Sequence, residues 1–408
     1  MKNYVIIGGG VASVGCIEGI RSIDKTGKII LISGENKPVY CRPLISYYLQ
    51  GKTDFKKMQY RPDSFYKENN CEIVYGKADK IDPDNKIVAV GKEKIKYDKL
   101  CIATGSSPFV PPFKGLETVK HKFSFMTEED ALALENAILP SSRVLIVGAG
   151  LIGLKCAEGL SGRVSSIIVC DLATRVLSSI LDDECALFMQ KKLEENGISF
   201  MLGDSANAFN GNVATMSSGK TIEFDVLVLA VGVRPNIALV KDVGCNTDRG
   251  IIVDTAMKTS LENVYAIGDC AQGYDASIKA NRILAIWPNA VMQGNCAGIN
   301  MAGGSTIYDY GIPMNAIGFF GLHALTAGSY TGEMYEEKTD KSIKRLFIKD
   351  GCLVGFMLIG EIARAGIYTS FIREKTPLDS VNTQLLKISP TLSVFDVENR
   401  RKKLGGMV

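Results

Sequence analysis

Tyr4-Val5-Ile6-Ile7 leads directly into Gly8-Gly9-Gly10-Val11-Ala12-Ser13, and Val144-Leu145-Ile146-Val147 leads in the same way into Gly148-Ala149-Gly150-Leu151-Ile152-Gly153. Each stretch reads as an apolar strand, a glycine-rich turn and the start of a helix. The first glycine permits a tight turn, the second lets backbone approach a pyrophosphate, and the third lets helix and strand pack closely. The pyrophosphate then rests on free N–H groups at the positive end of the helix dipole. Ser13 takes the third place in the first turn and is small enough to serve. One such motif is weak evidence, but here each has a strand before it, a helix after it and an acid downstream. A chain with two dinucleotide cradles is most simply one that passes electrons between two dinucleotides.

Length and composition agree. At 408 residues the chain can build two or three domains with proper cores. Apolar residues make up 46% and charged residues 22%, as in folded globular proteins. A net charge of +3 is too small to point to nucleic acid or a membrane surface. No apolar run reaches the roughly 18 residues of a spanning helix, and the first strand begins too early for a signal peptide to be expected. The eleven cysteines include no CxxC pair, so zinc, iron–sulfur and dithiol sites lack their spacing. They read as reduced thiols packing the core of a cytoplasmic protein. His121 and His323 have no metal-like neighbours, so no metal site is expected.

Residues 1–34 read as a βαβ unit ending in the strand Lys28–Ser33. A polar stretch with Pro38, Pro43 and Pro62 follows, then short strands near Cys71–Tyr75 and Lys86–Val90. Lys99–Ala103 is a buried-strand pattern ending in Thr104-Gly105, after which Pro108, Pro111 and Pro112 predict an irregular crossover. The pattern then repeats, with a helix from about Glu128 to Asn136, the second βαβ unit, and an apolar strand from Val226 ending in Gly232-Val233-Arg234-Pro235. A strand at Val264–Ile267 leads to Gly268-Asp269 and a helix-like stretch over Asn289–Met301. From about Gly311 the pattern suggests a smaller α+β unit. The expectation is an α/β protein of two nested Rossmann-like dinucleotide-binding domains plus a small C-terminal α+β domain. The first would comprise residues 1–110 and 236–308, the second 111–235, and the third 309–408.

The acids rank the two cradles. Asp171 ends the strand from Ser166 and lies 18 residues after Gly153, where a carboxylate can accept from both ribose hydroxyls. A 2′-phosphate would meet like charge there, so NADH is favoured, although the nearby Arg175 keeps NADPH open as the less favoured donor. Glu35 matches Asp171 in the first half. Asp269 closes an apolar strand and could bind a ribose or ribityl hydroxyl, or simply cap a turn. The helix near Asn289 could aim its N-terminus at a flavin ring.

Together these residues resemble the FAD- and NAD(P)-dependent pyridine-nucleotide oxidoreductases of the glutathione-reductase-like fold. The resemblance rests on both glycine turns, Ala103-Thr104-Gly105, Gly232-Val233-Arg234-Pro235-Asn236 and Tyr265-Ala266-Ile267-Gly268-Asp269. Tyr40-Cys41-Arg42-Pro43-Leu44-Ile45-Ser46 is similar to a signature of NADH:rubredoxin oxidoreductases and of the flavoprotein part of nitrite reductase large subunits. Trp287, Gln293-Gly294, Asn300-Met301 and Leu358-Ile359-Gly360 are similar to the same subgroup. The resemblance implies that Gly8, Gly10, Ser13, Glu35, Arg42, Ala78, Thr104, Gly105, Asp269 and Trp287 hold FAD. It implies that Gly148, Gly150, Gly153, Asp171 and Gly232 hold NADH. Hydride would pass from nicotinamide to flavin N5 and electrons would leave singly, with no side-chain catalyst required.

Two departures qualify this. The family usually carries glutamate, in contact with the nicotinamide amide, where this chain has Lys155, which cannot accept a hydrogen bond. The alternative for Lys155 is an ordinary lysine reaching into solvent. The CxxxxC of disulfide reductases is missing, and Cys41 lies two residues from the position of the redox cysteine in NADH oxidases. The leading expectation is a carrier reductase serving a small acidic protein such as rubredoxin, as monomer or homodimer, with Arg400-Arg-Lys-Lys403 as a basic surface. The alternatives are an NADH oxidase, peroxidase or disulfide reductase using Cys41, and a flavoprotein subunit or redox-sensing interaction protein with little turnover of its own.

Overall fold

A computed structural model describes residues 2–403. The chain forms two compact units, one running up to Tyr274 and resuming over Asn281–Tyr308, the other comprising Asp275–Ala280 and the chain from Asp309 onward.

The first unit holds two five-stranded parallel sheets of the same design. In one, β1 (Asn3–Ile7) lies between β2 (Lys28–Ser33) and β4 (Lys99–Ile102), with β3 (Cys71–Tyr75) and β9 (Val264–Ala266) at the edges. In the other, β5 (Arg143–Val147) lies between β6 (Ser166–Asp171) and β8 (Val226–Leu229), with β7 (Ile198–Leu202) and the short strand Lys122–Phe123 outermost. Helices on both faces of a parallel sheet bury it twice, which is why Val5, Ile6, Leu145 and Ile146 are all fully buried. The ligand crevice of such a sheet lies beyond the carboxyl ends of its strands, where both glycine turns sit.

Helix α1 (Val11–Ile23) follows the first turn and crosses α4 (Trp287–Met301). The contact is backbone on backbone. A Cβ added at Gly15 or Gly19 would run into the carbonyl oxygens of Val291 or Asn295, and one at Gly294 or Gly298 into those of Ala12 or Cys16. Glycines spaced four apart on both helices therefore set how closely they approach.

Two segments differ from the sequence reading. The proline-rich crossover is not irregular at its start: Ser106–Pro108 pairs antiparallel with Val233–Pro235. Both strands of this ribbon are edges and each proline sits at an end, where proline is tolerated. The polar stretch after β2 contains the short helices α2 (Ile45–Leu49), Phe55–Met58 and Phe65–Glu68, each too brief to show a helical period in sequence.

The second unit is a five-stranded antiparallel sheet in the order Met314–Phe319, Leu322–Gly328, Cys352–Ile359, Ile343–Lys349, Glu333–Lys338. The helix Ala365–Glu374 joins its core, where Tyr368, Phe371 and Ile372 cluster with Leu346, Phe356 and Leu358. Among the described residues no helix is long and apolar enough to cross a membrane.

The helix crossing predicts an asymmetry between glycines. Gly298→Ala should destabilise by about 2–3 kcal/mol through overpacking. Gly366→Ala, at a helical glycine where an added Cβ meets open space, should be neutral or stabilising by up to about 1 kcal/mol. Thermal unfolding of the two variants measures this, and equal effects would show that the helix contact is not tight.

Candidate functional site

Gly10 and Gly150 are the N-cap residues of α1 and of α3 (Leu151–Leu160). Neither cap side chain exists to accept the first N–H groups, and the space beside each glycine is open. A helix start without a side-chain cap, with room beside it, fits an anionic pyrophosphate. Gly8 (φ +123°) and Gly148 (φ +118°) make the turn just before, pressed against the carbonyl oxygens of Ala103 and Ala230. At Gly153 a Cβ would run into the Gly148 carbonyl. The first turn instead admits Ser13, which is buried and donates its hydroxyl to the Gly10 carbonyl at 2.6 Å.

Around the first turn the chain gathers most of the residues expected there. Glu35 lies two residues beyond β2, with one carboxylate oxygen accepting from the Tyr40 hydroxyl at 2.9 Å and the other paired with Arg42. Tyr40 also accepts the Glu128 N–H at 3.0 Å, and Arg42 lies 5.4 Å from the Tyr40 ring centre. Asp269 follows β9 and accepts from the Ser106 hydroxyl at 3.0 Å. Burial pushes its carboxyl up, while the Ser106 hydrogen bond and the Arg42 charge pull the other way. Thr104 and Gly105 are laced to Asn236. The Thr104 hydroxyl donates to the Asn236 carbonyl (2.6 Å), and Asn236 donates to the carbonyls of Thr104 and Gly105 (2.9 Å each). The Gly268 N–H donates to the buried Gln293 side chain at 2.8 Å, which ties the Asp269 turn to α4. Ala78 is buried beyond β3. Trp287, the first residue of α4, packs edge-on against Tyr60 at 5.1 Å, with the Arg61 guanidinium 4.2 Å from the Tyr60 ring centre.

Around the second turn, Asp171 accepts the N–H of Ala149 at 2.7 Å and that of Ala173 at 2.8 Å, so it braces the phosphate turn from the end of β6. Two carboxylate oxygens offer about four acceptor positions, which leaves capacity for a ribose. Arg175 is engaged by its own loop, donating to the Leu181 carbonyl (3.1 Å) and pairing with Asp183 (2.9 Å). Gly232 adopts φ +117° with open space beside it.

Lys155 does not extend into solvent. Its side chain is 18% exposed, its Nζ lies 2.7 Å from the Glu158 carboxylate, and it sits 5.5 Å from the Tyr47 ring centre. Cys41 is a half-buried free thiol that burial pushes up, so little thiolate forms at neutral pH. Of the basic tail, Arg401 is exposed and Arg400 half-buried on the helix Val397–Lys403. The sequence reading overlooked Tyr40, Ser106, Asn236 and Gln293 as site residues, although all four lie in or beside motifs it had quoted.

The model of the family described as pyridine nucleotide-disulphide oxidoreductase matches residues 2–294. The chain belongs to this family and is an NAD(P)H-dependent oxidoreductase. It is 31% identical over 402 residues to the NADH-dependent phenylglyoxylate dehydrogenase subunit epsilon of Aromatoleum evansii, covering 94% of each. It is 32% identical over 395 residues to an NADH oxidase of Methanocaldococcus jannaschii, covering 87% of each. A rubredoxin-NAD(+) reductase of Alcanivorax borkumensis is 28% identical over 375 residues, covering 89% of this chain and 96% of that one. In fold it matches the crystal structure of the covalent putidaredoxin reductase–putidaredoxin complex with a TM-score of 0.87 at 21% identity, covering 95% and 96% of the chains.

Because burial raises the Asp269 carboxyl in the fold, its ionisation opposes folding. The penalty is absent at acid pH, where the group is protonated folded or unfolded, and develops as pH rises through the raised value. Asp269→Asn should therefore raise the unfolding temperature of the cofactor-free protein at pH 7, with the gain vanishing below the ordinary carboxylate range. The same variant should retain less FAD. A gain that is flat with pH would show that the carboxylate is not strained.

Proposed function

We propose that this chain is an FAD-dependent oxidoreductase that takes electrons from NADH and delivers them singly to a small acidic carrier protein, most simply rubredoxin. The observation that carries the reading is how the described thiols are placed. All eleven cysteines are free and nine are buried; of the two half-buried ones, the Cys41 thiol is pushed up by burial and Cys352 donates to the Lys375 carbonyl at 3.6 Å. An acceptor must then be served without a thiol relay, as a one-electron carrier is. The relative named rubredoxin-NAD(+) reductase supports this acceptor class.

FAD and NADH are the cofactors. FAD, when bound, supplies the change from two-electron to one-electron transfer. In this reading residues 1–110 and 236–308 hold FAD. Gly8, Gly10 and Ser13 seat its pyrophosphate, Glu35 accepts from a ribose hydroxyl while Arg42 balances the charge, and Asp269 accepts from a further hydroxyl. Ala78, Thr104, Gly105 and Trp287 line the same cradle. Residues 111–235 hold NADH on Gly148, Gly150 and Gly153, with Asp171 at the ribose and Gly232 opposite. Arg175 is committed to its own loop, which favours NADH over NADPH. The third domain in this reading is 309–408, of which 404–408 lie outside the described residues. Abundant free thiols suit the reducing cytoplasm. The basic helix carrying Arg400 and Arg401 offers an acidic carrier a long-range attraction that speeds encounter.

A second reading, a flavoprotein subunit of a larger dehydrogenase, draws on the full-length similarity to a protein named as subunit epsilon. One anaerobic experiment separates the readings. NADH should bleach the flavin of purified protein, and rubredoxin should re-oxidise it faster than oxygen, peroxide or a disulfide, with a rate falling steeply as salt rises. Cys41→Ser should leave this rate unchanged. Re-oxidation fastest by peroxide or disulfide, and lost in Cys41→Ser, would establish the oxidase or disulfide-reductase alternative. Bleaching without re-oxidation by any small carrier would favour the subunit.

A further inference from the structure

The first parallel sheet has a second end, away from its crevice. The crevice lies beyond the carboxyl ends of β1, β2, β4 and β9, so Lys2, Lys99 and Asn263, at or just before the strand starts, mark the opposite edge. A cavity of about 390 Å³ opens at this edge, lined by Lys99 of β4 and by the turn Lys258–Tyr265 that leads into β9. That volume falls within the range of small-molecule sites. The turn is stapled by its own groups. The Thr259 N–H and hydroxyl both donate to the Val264 carbonyl, at 3.0 and 2.9 Å, and the Leu261 N–H donates to that hydroxyl at 3.1 Å. Lys99 Nζ donates to the Asn263 side-chain oxygen at 2.5 Å, and the Asn263 amide donates to Glu262 at 3.0 Å.

An ammonium has three donors, so Lys99 keeps two for a further acceptor. Burial lowers its pKa, and the charges of Lys2, Lys258 and Lys86 lower it further, with Glu262 pulling the other way. The neighbouring acids are committed to backbone N–H groups: Asp98 accepts that of Asn3 at 2.7 Å, and Asp254 those of Ala256 and Lys258 at 2.9 and 2.8 Å. Ammonium groups gathered in this way repel one another, and an anion between them removes the repulsion. A phosphate group offers three strong acceptor oxygens, enough for Lys99, Lys258 and the Ser260 hydroxyl, whose proton otherwise reaches only the Cys245 sulfur at 3.7 Å. Glu262 can accept from a hydroxyl of the same molecule. We infer that this cavity binds a small phosphate-bearing molecule, at a site separate from both dinucleotide cradles. Its occupant sits at the far end of the sheet from Thr104 and Asp269 and takes no part in electron transfer. The inference does not depend on which dinucleotide either cradle holds. Two charge-assisted hydrogen bonds are enough for a dissociation constant of about 1 mM.

The test is calorimetric titration of the full chain with inorganic phosphate and with ribose 5-phosphate, the ionic strength being held constant with sodium chloride. The unaltered protein should bind saturably. Lys258→Ala, at an exposed position, should weaken binding about tenfold, and Lys258→Arg should preserve it. Lys220→Ala removes an exposed lysine from the hairpin of Val213–Met216 with Thr221–Glu223 and should leave binding unchanged. Tighter binding of ribose 5-phosphate, with the advantage lost in Glu262→Ala, would identify the ligand as a phosphorylated polyol. Equal binding of the two would identify it as phosphate itself. Absence of saturable binding by both probes, or a dissociation constant that Lys258→Ala does not alter, overturns the inference.

Discussion

Backbone has to approach backbone without intervening side chains at several points in this molecule, and the geometry of both cradles follows from that. Gly8 presses on the Ala103 carbonyl and Gly148 on that of Ala230, each bringing a phosphate turn against the end of the neighbouring strand. Gly15 and Gly19 meet α4 through its carbonyls, and Gly294 and Gly298 meet α1 in return. The second set is what aligns the first turn with Asp269. Gln293 of α4 holds the Gly268 N–H, so any shift of α4 relative to α1 would move the Asp269 turn relative to Gly10. Side chains larger than hydrogen at these points would force displacements that packed interiors absorb poorly.

The electrostatics are arranged against that rigid frame. Asp269 carries a raised carboxyl at a strand end, an arrangement that lowers stability in the empty protein. Glu35 differs in its partners, since Arg42 and Tyr40 already occupy its two oxygens. The contrast is physical. Glu35, beyond a strand end, is paired with a cation, whereas Asp269, enclosed by a turn and a helix, has only the Ser106 hydroxyl among the described residues. Buried groups with displaced titration concentrate at functional sites for this reason.

The α/β class, the duplicated strand–turn–helix units and a smaller terminal α+β unit were legible because each depends on local signals: apolar runs, glycine spacing and the residue at a strand end. Asp171 and Asp269 could be assigned to strand ends from sequence because an apolar run stopping at an acid states the position directly. The ribbon of Ser106–Pro108 with Val233–Pro235 was not legible, since its pairing spans more than a hundred residues and proline argues locally against a strand. The pairing of α1 with α4 was hidden for a related reason. Glycines four apart were visible in both segments, but which helices they join is a long-range fact. Lys155 shows the same limit in a side chain: its type and its place in the motif were plain, yet its pairing with Glu158 and its approach to Tyr47 depend on how two helices meet.

The two cradles share one backbone plan but differ in how they are closed. The first is enclosed by elements from distant parts of the chain: Tyr40 and Arg42 after β2, Thr104 and Ser106 after β4, Asn236 after the strand Val233–Pro235, and Asp269 with Gln293 of α4. A ligand seated there touches segments that must all move together for it to leave. The second is braced mainly by its own neighbourhood, Asp171 holding Ala149 and Ala173. In the proposed reading, the range of the closing contacts is what separates the FAD half from the NADH half, while the glycine turns share one design.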